Sequence, residues 1–412
     1  MAKNPSRLVI VGGGFGGVSC ALALASRCSP NLKITLVSDK PHLEYAAALY
    51  RVVAGRSPLE VCIPLRDIIG DLPIECVRDT ATSIDPAKRT IQCKSGSAHS
   101  YDYAVLGLGS QTAYFDIPGM QEYSFSLKSI SAAIRLQRHL HEMFEQTAAR
   151  DDDRDDDMRR MRIVIVGAGA SGVELAGELA SYLRILAEKH QVGKELVVID
   201  LVEAAPRILP LFPEAVARRV EQRLKELGVN IYTNRTMIRE ELQEVILKGM
   251  TIKTETVVWT AGVKAHDLYA SISGVEIDKK GRVVVDDYLR AKGADRLFVV
   301  GDGAATQYSG MAQTAIYDGL VAAENIIRSI SSTDLAVYHP KQPYYALPVG
   351  PRWAVAIVGS INVYGYGGWI LRRVADLRYF FSILPIMKAF RVFREGRSIC
   401  EVCDVCSPQP PP

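Results

Sequence analysis

The sequence predicts an α/β fold of two Rossmann-like dinucleotide-binding units followed by a small C-terminal region of strands and amphipathic helix. Three observations carry that expectation. A strand–glycine turn–helix–strand pattern spans residues 7–38, and the same pattern returns over residues 162–203. A late strand at 297–300 then runs into Gly301-Asp302-Gly303. With 412 residues, the chain is also too long for one ordinary hydrophobic core, so two or three domains are expected.

Taken in order, residues 7–11 form a short apolar run typical of a strand, and residues 12–17 break it as a glycine turn. Residues 18–26 read as a helix and 33–38 as a second strand, completing one βαβ unit. Residues 41–72 are loop-rich, with Pro58, Pro64 and then Pro73 as breakers. Residues 103–108 read as a buried strand, and 130–146 carry helical periodicity. The run 151–157, six aspartates and one arginine, cannot bury itself; a solvated loop is expected, with partner docking as the alternative. The second unit follows, with a strand at 163–166, a turn at 167–172, a long helix at 173–190 and a strand at 197–202 ending in Glu203. Later elements are strands at 283–286 and 297–300, a helix at 313–329, a strand at 354–358 and a glycine-rich turn at 365–368. The Pro-rich tail 407–412 cannot fold by itself.

Composition excludes several classes. A net charge of +3 is too mild for nucleic acid. The charge is uneven, however: residues 369–397 hold seven Lys or Arg and two Asp or Glu, which points to a surface-binding segment. The first strand begins by Leu8, leaving no room for a signal peptide, and no stretch approaches the roughly 18 apolar residues of a membrane span. None of the eight cysteines lies between Cys93 and Cys400, so a disulfide framework is not expected and a reducing compartment is.

The chemistry lies in the glycine turns. In Gly12-Gly13-Gly14-Phe15-Gly16-Gly17, Gly12 permits the tight turn and Gly14 lets backbone amides approach a pyrophosphate; Gly17 lets helix and strand pack closely. Gly167, Gly169 and Gly172 repeat the pattern. One such match is weak, but two copies, each between a strand and a helix, are strong. Glu203 is placed to accept hydrogen bonds from a ribose 2′-hydroxyl and to repel a 2′-phosphate, favouring NAD(H) over NADP(H); nearby Arg207 would act against this. In the first unit either Ser38 or Asp39 faces the ribose, and Asp39 is the better acceptor. Asp302, at a late strand end, suits the sugar-alcohol chain of a flavin, the bland reading being a helix cap.

Together these segments resemble the type II NADH dehydrogenases, single-chain NADH:quinone oxidoreductases of the two-dinucleotide-binding flavoproteins. The matches include residues 11–17, 109–115 (GSQTAYF), 127–129 (LKS), 167–178 (GAGASGVELAGE), 203–210 (EAAPRILP), 259–265 (WTAGVKA), 301–303 and 312–315 (AQTA). The resemblance implies FAD and NAD(H) as cofactors. An NAD domain at 120–285 would be inserted into an FAD domain made of 1–119 and 286–345, with a membrane-associating region at 346–397 and a tail at 398–412. It also implies hydride transfer from NADH to FAD and electron delivery to a quinone without ion pumping. By the same resemblance Gly109, Asp302 and Gln313 belong to the FAD site and Gly262 to the NAD site, while Glu174 lies near flavin and quinone as a proton-transfer group. Gln313 matches the first glutamine of the family's AQxAxQxG quinone motif, but Tyr317 replaces the second and Asp318 follows; Gln313 and Tyr317 join Glu174 as expected catalytic residues, Tyr317 placed to stack on or hydrogen-bond a quinone. Disulfide reductases are disfavoured because Cys62 has no neighbouring cysteine, and sulfide:quinone oxidoreductases because mid-chain cysteines are missing. Reduction of a soluble electron carrier and an NADH-responsive flavoprotein sensor are the competing functions.

In the C-terminal segment Ile370, Val374, Leu377, Phe381 and Leu384 recur at helical spacing, with Arg372 and Asp376 on the other side. A basic amphipathic stretch with Trp369 and several Phe suits an in-plane helix on an anionic membrane, on the cytoplasmic face of the cell membrane. The alternative is a helix packed on the protein's own core or in a homodimer. Cys400, Cys403 and Cys406 form CxxCxxC, three thiols suited to a soft metal or to lipidation beside a membrane helix; with no fourth ligand nearby, no metal is expected.

Overall fold

The first sheet of the computed structural model, which describes residues 5–27, 32–149 and 154–396, is built around β1 (Ser6–Val11). Its apolar run is continuous because both faces are covered. Leu8 and Ile10 join the core that holds Leu24 of α1 (Phe15–Ser26), while Val9 and Val11 join a second core with Ile84 and Ile91. Then come β2 (Leu32–Ser38), α2 (Leu49–Val53), β3 (Ile74–Arg78) and β4 (Tyr103–Leu106). β1 pairs in parallel with β2 and β4, with Leu8 opposite Ile34 and Tyr103.

The chain leaves this sheet through β5 (Ser110–Thr112) and builds a second one. In order it forms β6 (Phe125–Ser126), α3 (Ile130–Ala148), α4 (Arg154–Arg160), β7 (Arg162–Val166) and α5 (Ala170–His190). β8 (Val198–Val202), α6 (Glu214–Glu226), β9 (Val229–Tyr232) and β10 (Thr256–Trp259) complete it. The sheet is parallel, with order β6-β10-β7-β8-β9. β11 (Val263–Ala265) returns antiparallel to β5, with Gln111 opposite Lys264. β12 (Arg290–Ala291) and β13 (Ala294–Val299) then finish the first sheet as β12-β13-β4-β1-β2-β3. The second unit is thus inserted into the first, with β5 and β11 as the paired crossings.

α7 (Ala312–Ser331) lies against α1 at close range because Gly319 has no side chain; a Cβ there would come 2.4 Å from the Gly16 carbonyl oxygen. That contact sets the start of α7 beside the first glycine turn. The C-terminal region is an antiparallel sheet of β14 (Tyr345–Pro348), β15 (Ala354–Val358) and β16 (Ile361–Gly365), then α8 (Tyr366–Ile383) and α9 (Ile386–Glu395).

Four expectations change. Of the acidic run, residues 151–153 lie outside the described residues and 154–157 fall in α4, which takes up residues 154–160, because aspartates in a first helical turn favour the helix dipole and Asp156 pairs with Arg159 and Arg160. Residues 283–286 make isolated bridges, Val283 to Ala304 and Val285 to Ala291, instead of a strand. Gly365 ends β16 and α8 starts at Tyr366, so Gly367 and Gly368 are helical, and Gly368 lets the helix touch Ala354, whose oxygen would lie 2.3 Å from a Cβ. Residues 263–285, expected in the inserted unit, pack with the first: Ala265, Tyr269 and Val283 share a core with Val9 and Val299. Cys400, Cys403, Cys406 and the tail 407–412 lie outside the described residues.

α8 turns two of its charged residues inward, Arg373 and Asp376, beside the apolar Phe380 and Ile383. Asp376, fully buried, accepts from Arg51 (2.8 Å) and Tyr45 (2.7 Å), and Glu60 accepts from Arg51 (2.8 Å) and Arg373 (2.9 Å). Its other apolar residues, Ile370, Val374 and Phe381, face out, with Val374 56% exposed, and on α9 Ile386, Met387 and Phe390 are 67%, 81% and 51% exposed. Among the described residues no helix is long and apolar enough to cross a membrane.

Candidate functional site

The two glycine turns share one geometry. Gly12 (φ +113°) and Gly167 (φ +104°) adopt backbone conformations that favour glycine, and their N–H groups donate to Val37 and Val202, each at 2.8 Å. A Cβ on Gly17 would lie 1.9 Å from the Gly12 oxygen, and one on Gly172 1.9 Å from the Gly167 oxygen. At Gly14 and Gly169 the opposite holds. A Cβ there meets nothing within 4 Å, and these residues cap α1 and α5 with no side chain bonded to the first-turn amides. Open space in front of free helix N–H groups is what a pyrophosphate needs, so both turns fit a dinucleotide.

Glu203 follows β8, and its carboxylate accepts from Ala168 N–H within the second turn (2.8 Å) and from Ala205 N–H (2.8 Å). Arg207 is committed elsewhere, donating to the carbonyls of Leu209 (2.7 Å), Pro210 (2.8 Å) and Phe212 (2.9 Å). It staples its own loop, which takes it away from a 2′-phosphate role. In the first unit Ser38 is buried and donates to the Lys40 carbonyl (2.8 Å), leaving exposed Asp39 as the acceptor open to a ligand.

The other sequence-selected residues gather around the crossings. Gly109 has φ +71° with open space at its Cβ position. A Cβ on Gly262 would press on the exposed Phe115 ring at 2.4 Å and on the Ala113 carbonyl oxygen at 3.1 Å, and Trp259 Nε1 donates to the Ala113 carbonyl (2.8 Å) to fix that strand end. Asp302 accepts from Ser110 Oγ. The turn's backbone is held by Asp318, which accepts the Gly301 N–H at 3.0 Å and whose carboxyl burial pushes up to about 6.

Glu174, in the first turns of α5, keeps some solvent contact but is crowded by protein, and that desolvation raises its carboxyl to about 7 against the pull of Arg372 and Arg51. Glu178, one turn on, is raised for the same reason. Gln313 is exposed and bonds Tyr344 twice, donating to its carbonyl (2.8 Å) and accepting its N–H (3.1 Å). Glu174 and Gln313 show no direct bond. Arg372, one of the two cations beside Glu174, donates to the Ala47 carbonyl (2.7 Å) on one side and reaches towards Ala346, two residues past Tyr344, on the other (3.5 Å). Tyr317 lies one turn beyond Gln313 under the segment that joins α7 to β14, with Lys341 Nζ 4.1 Å from its ring centre and Tyr338 5.7 Å away.

Sequence reasoning missed Arg51, Glu60 and Ser110, which bond residues of the site or its supports. Ser110 stood inside a matched segment, a usable signal; Arg51 meets Asp376 from 325 positions away and had none.

The comparisons agree with this architecture. Residues 6–319 match the pyridine nucleotide-disulphide oxidoreductase family model. The chain is 26% identical to a type II NADH:quinone oxidoreductase of Staphylococcus saprophyticus over 407 residues and 28% identical to one of Staphylococcus haemolyticus over 408, covering 95% of this chain and 99% of each relative. Among solved structures, NDH2 from Plasmodium falciparum in complex with NADH superposes with a TM-score of 0.86 at 15% identity, over 95% of this chain and 98% of that one. The sulfide:quinone oxidoreductase of Aquifex aeolicus gives 0.75 at 20% identity, over 95% and 92%. With two glycine cradles on two parallel sheets and a family match over most of its length, the chain belongs to the pyridine nucleotide-disulphide oxidoreductase family.

Proposed function

We propose that this protein is a membrane-peripheral NADH:quinone oxidoreductase that holds FAD at the first glycine turn and NAD(H) at the second. The observation that carries the reading is a pair of open glycine cradles in a chain whose C-terminal helices turn apolar residues outward. Its relatives of matching length, named as type II NADH:quinone oxidoreductases, support it. The bound flavin supplies the two-electron acceptor and donor, and the nicotinamide supplies the hydride. The protein binds the pyrophosphates at Gly12–Gly14–Gly17 and Gly167–Gly169–Gly172, and offers Asp39, Glu203 and Asp302 to sugar hydroxyls. Gly109 and Gly262 keep the backbone near the cofactors free of side chains. Gln313 fixes Tyr344 at the rim of the acceptor site, and Tyr317 braces the segment leading to it.

Glu174 holds the proton that a quinone oxygen takes up on reduction. A carboxyl raised to about 7 is protonated below that pH and ionised above it, so its donor form is lost as pH rises. The rate of quinone-driven flavin reoxidation is expected to fall above about pH 7. Glu174→Gln should lower that rate about 100-fold, abolish the alkaline limb and leave reduction by NADH unchanged. Stopped-flow absorbance follows the two half-reactions separately. Slow reduction with normal reoxidation would overturn the assignment, and an equal response to quinones and to a soluble carrier protein would favour the soluble-acceptor reading.

NADH is the preferred nucleotide, because Glu203 places a carboxylate at the second turn while Arg207 is bound to its own loop. Glu203→Gln should narrow the ratio of kcat/KM for NADH over NADPH. It should also lower kcat/KM for NADH about tenfold, since one loop N–H loses its acceptor. Equal efficiency with both nucleotides in the unmutated enzyme would contradict this.

A further inference from the structure

Lys128 takes no part in the reading above, yet its ammonium is committed to the first dinucleotide site from the inserted unit. It lies between β6 and α3. Its Nζ donates to Ser110 Oγ at 2.8 Å and stands 3.8 Å from Asp302 Oδ2. Ser110 Oγ in turn donates to that same carboxylate oxygen. A hydroxyl has one proton, and Ser110 gives it to Asp302; Lys128 fills the remaining demand as donor to the serine oxygen.

Three parts of the chain therefore fix one residue. α7 holds the backbone of the turn through Asp318 and Gly301, β5 holds the Asp302 side chain through Ser110, and the start of the inserted unit locks Ser110 through Lys128. The lysine and aspartate side chains are 35% and 23% exposed, so the ion pair alone is weakened by solvent. The directional chain of charge-assisted hydrogen bonds is what orients the carboxylate.

We propose that Lys128 is a positioning residue of the flavin site, holding Asp302 through Ser110 in the orientation that receives the ribityl hydroxyls and so tying flavin binding to the seat of the inserted unit. This rests on the reading that the first cradle takes FAD. It has an electrostatic consequence too: a cation beside the flavin favours the added negative charge of reduction, so its removal lowers the flavin midpoint potential.

The test is titration of the flavin-stripped full-length chain with FAD, followed by FAD fluorescence, together with the midpoint potential of the reloaded protein. Lys128→Met should weaken FAD binding about tenfold, as for one charge-assisted hydrogen bond, and lower the potential. Lys128→Arg, which keeps charge and donors, should recover most of both. Because Lys128 acts through Ser110, the double variant Ser110→Ala/Lys128→Met should bind FAD no more weakly than Ser110→Ala alone. Unchanged affinity and potential in Lys128→Met, or additive losses in the double variant, would overturn the proposal. If Lys128→Met does not fold, Lys128→Gln gives the same comparison with a neutral donor, and an unchanged potential there overturns the charge argument. Failure of the unmutated stripped chain to take up FAD would overturn the reading of the cradle itself.

Discussion

Gly14→Leu is expected to give a folded protein without flavin, whereas Gly17→Ala is expected to give little folded protein at all. Both positions are glycines of one turn, the first placed for the approach of a pyrophosphate and the second for close helix–strand packing. The space around them differs. A Cβ on Gly14 meets nothing within 4 Å and its φ of −86° suits any L-residue, so a side chain there enters the space in front of α1 without disturbing the fold. It would exclude a pyrophosphate and forfeit two or more charge-assisted hydrogen bonds at about 1.5–3 kcal/mol each, an affinity loss on the order of a thousandfold. A Cβ on Gly17 instead falls 1.9 Å from the Gly12 carbonyl oxygen, inside the strand–helix contact that builds the turn. Flavin absorbance per folded chain, with circular dichroism for folding, separates the two outcomes. Full flavin content in folded Gly14→Leu would remove FAD from this cradle.

Met387→Glu combined with Phe390→Glu is expected to release the protein from anionic vesicles with little change in melting temperature. Both side chains are exposed on α9, so the fold does not depend on them. Burying each in a membrane surface is worth about 1.5–3 kcal/mol, so losing both should weaken partitioning by more than about 100-fold. Truncation before Trp369, which the sequence pattern alone suggests as the way to free a soluble flavoprotein, should fail by misfolding. It removes Arg373 and Asp376, so Glu60 loses one of its two arginines and Arg51 loses its bond to Asp376, leaving Arg51 and Glu60 only each other as charged partners, a loss of about 3–5 kcal/mol. Vesicle sedimentation and thermal melts decide between the outcomes. Unchanged sedimentation of the double variant would place the membrane contact elsewhere, and a well-folded truncated chain would show that the buried charges are dispensable.

The site was legible from sequence where a function depends on local backbone geometry. Gly12, Gly17, Gly167 and Gly172 are turn glycines because their neighbours within one turn leave no room for a side chain, and short-range spacing records that. Periodicity likewise revealed α5 and α7 to within a few residues of their ends. It misjudged residues 154–160, where Arg159 and Arg160 let a run of aspartates close into a helix, and residues 283–286, where bridging partners sit in other segments.

By itself, then, the sequence determined two dinucleotide cradles, their order and the acid at the end of β8, since each is written in contiguous residues whose sterics and hydrogen bonds act over a few ångströms. Only the tertiary structure decided which way α8 faces. Its helical pattern offers one charged and one apolar side, and no local rule says which goes inward. The choice was made by Arg51 and Glu60, more than 300 positions earlier, whose buried charges need Arg373 and Asp376 as partners and so leave Ile370, Val374 and Phe381 facing out. The same holds for Lys128 and Asp302. They are strangers in sequence, and they meet because the paired crossings β5 and β11 bring the two units together at one carboxylate.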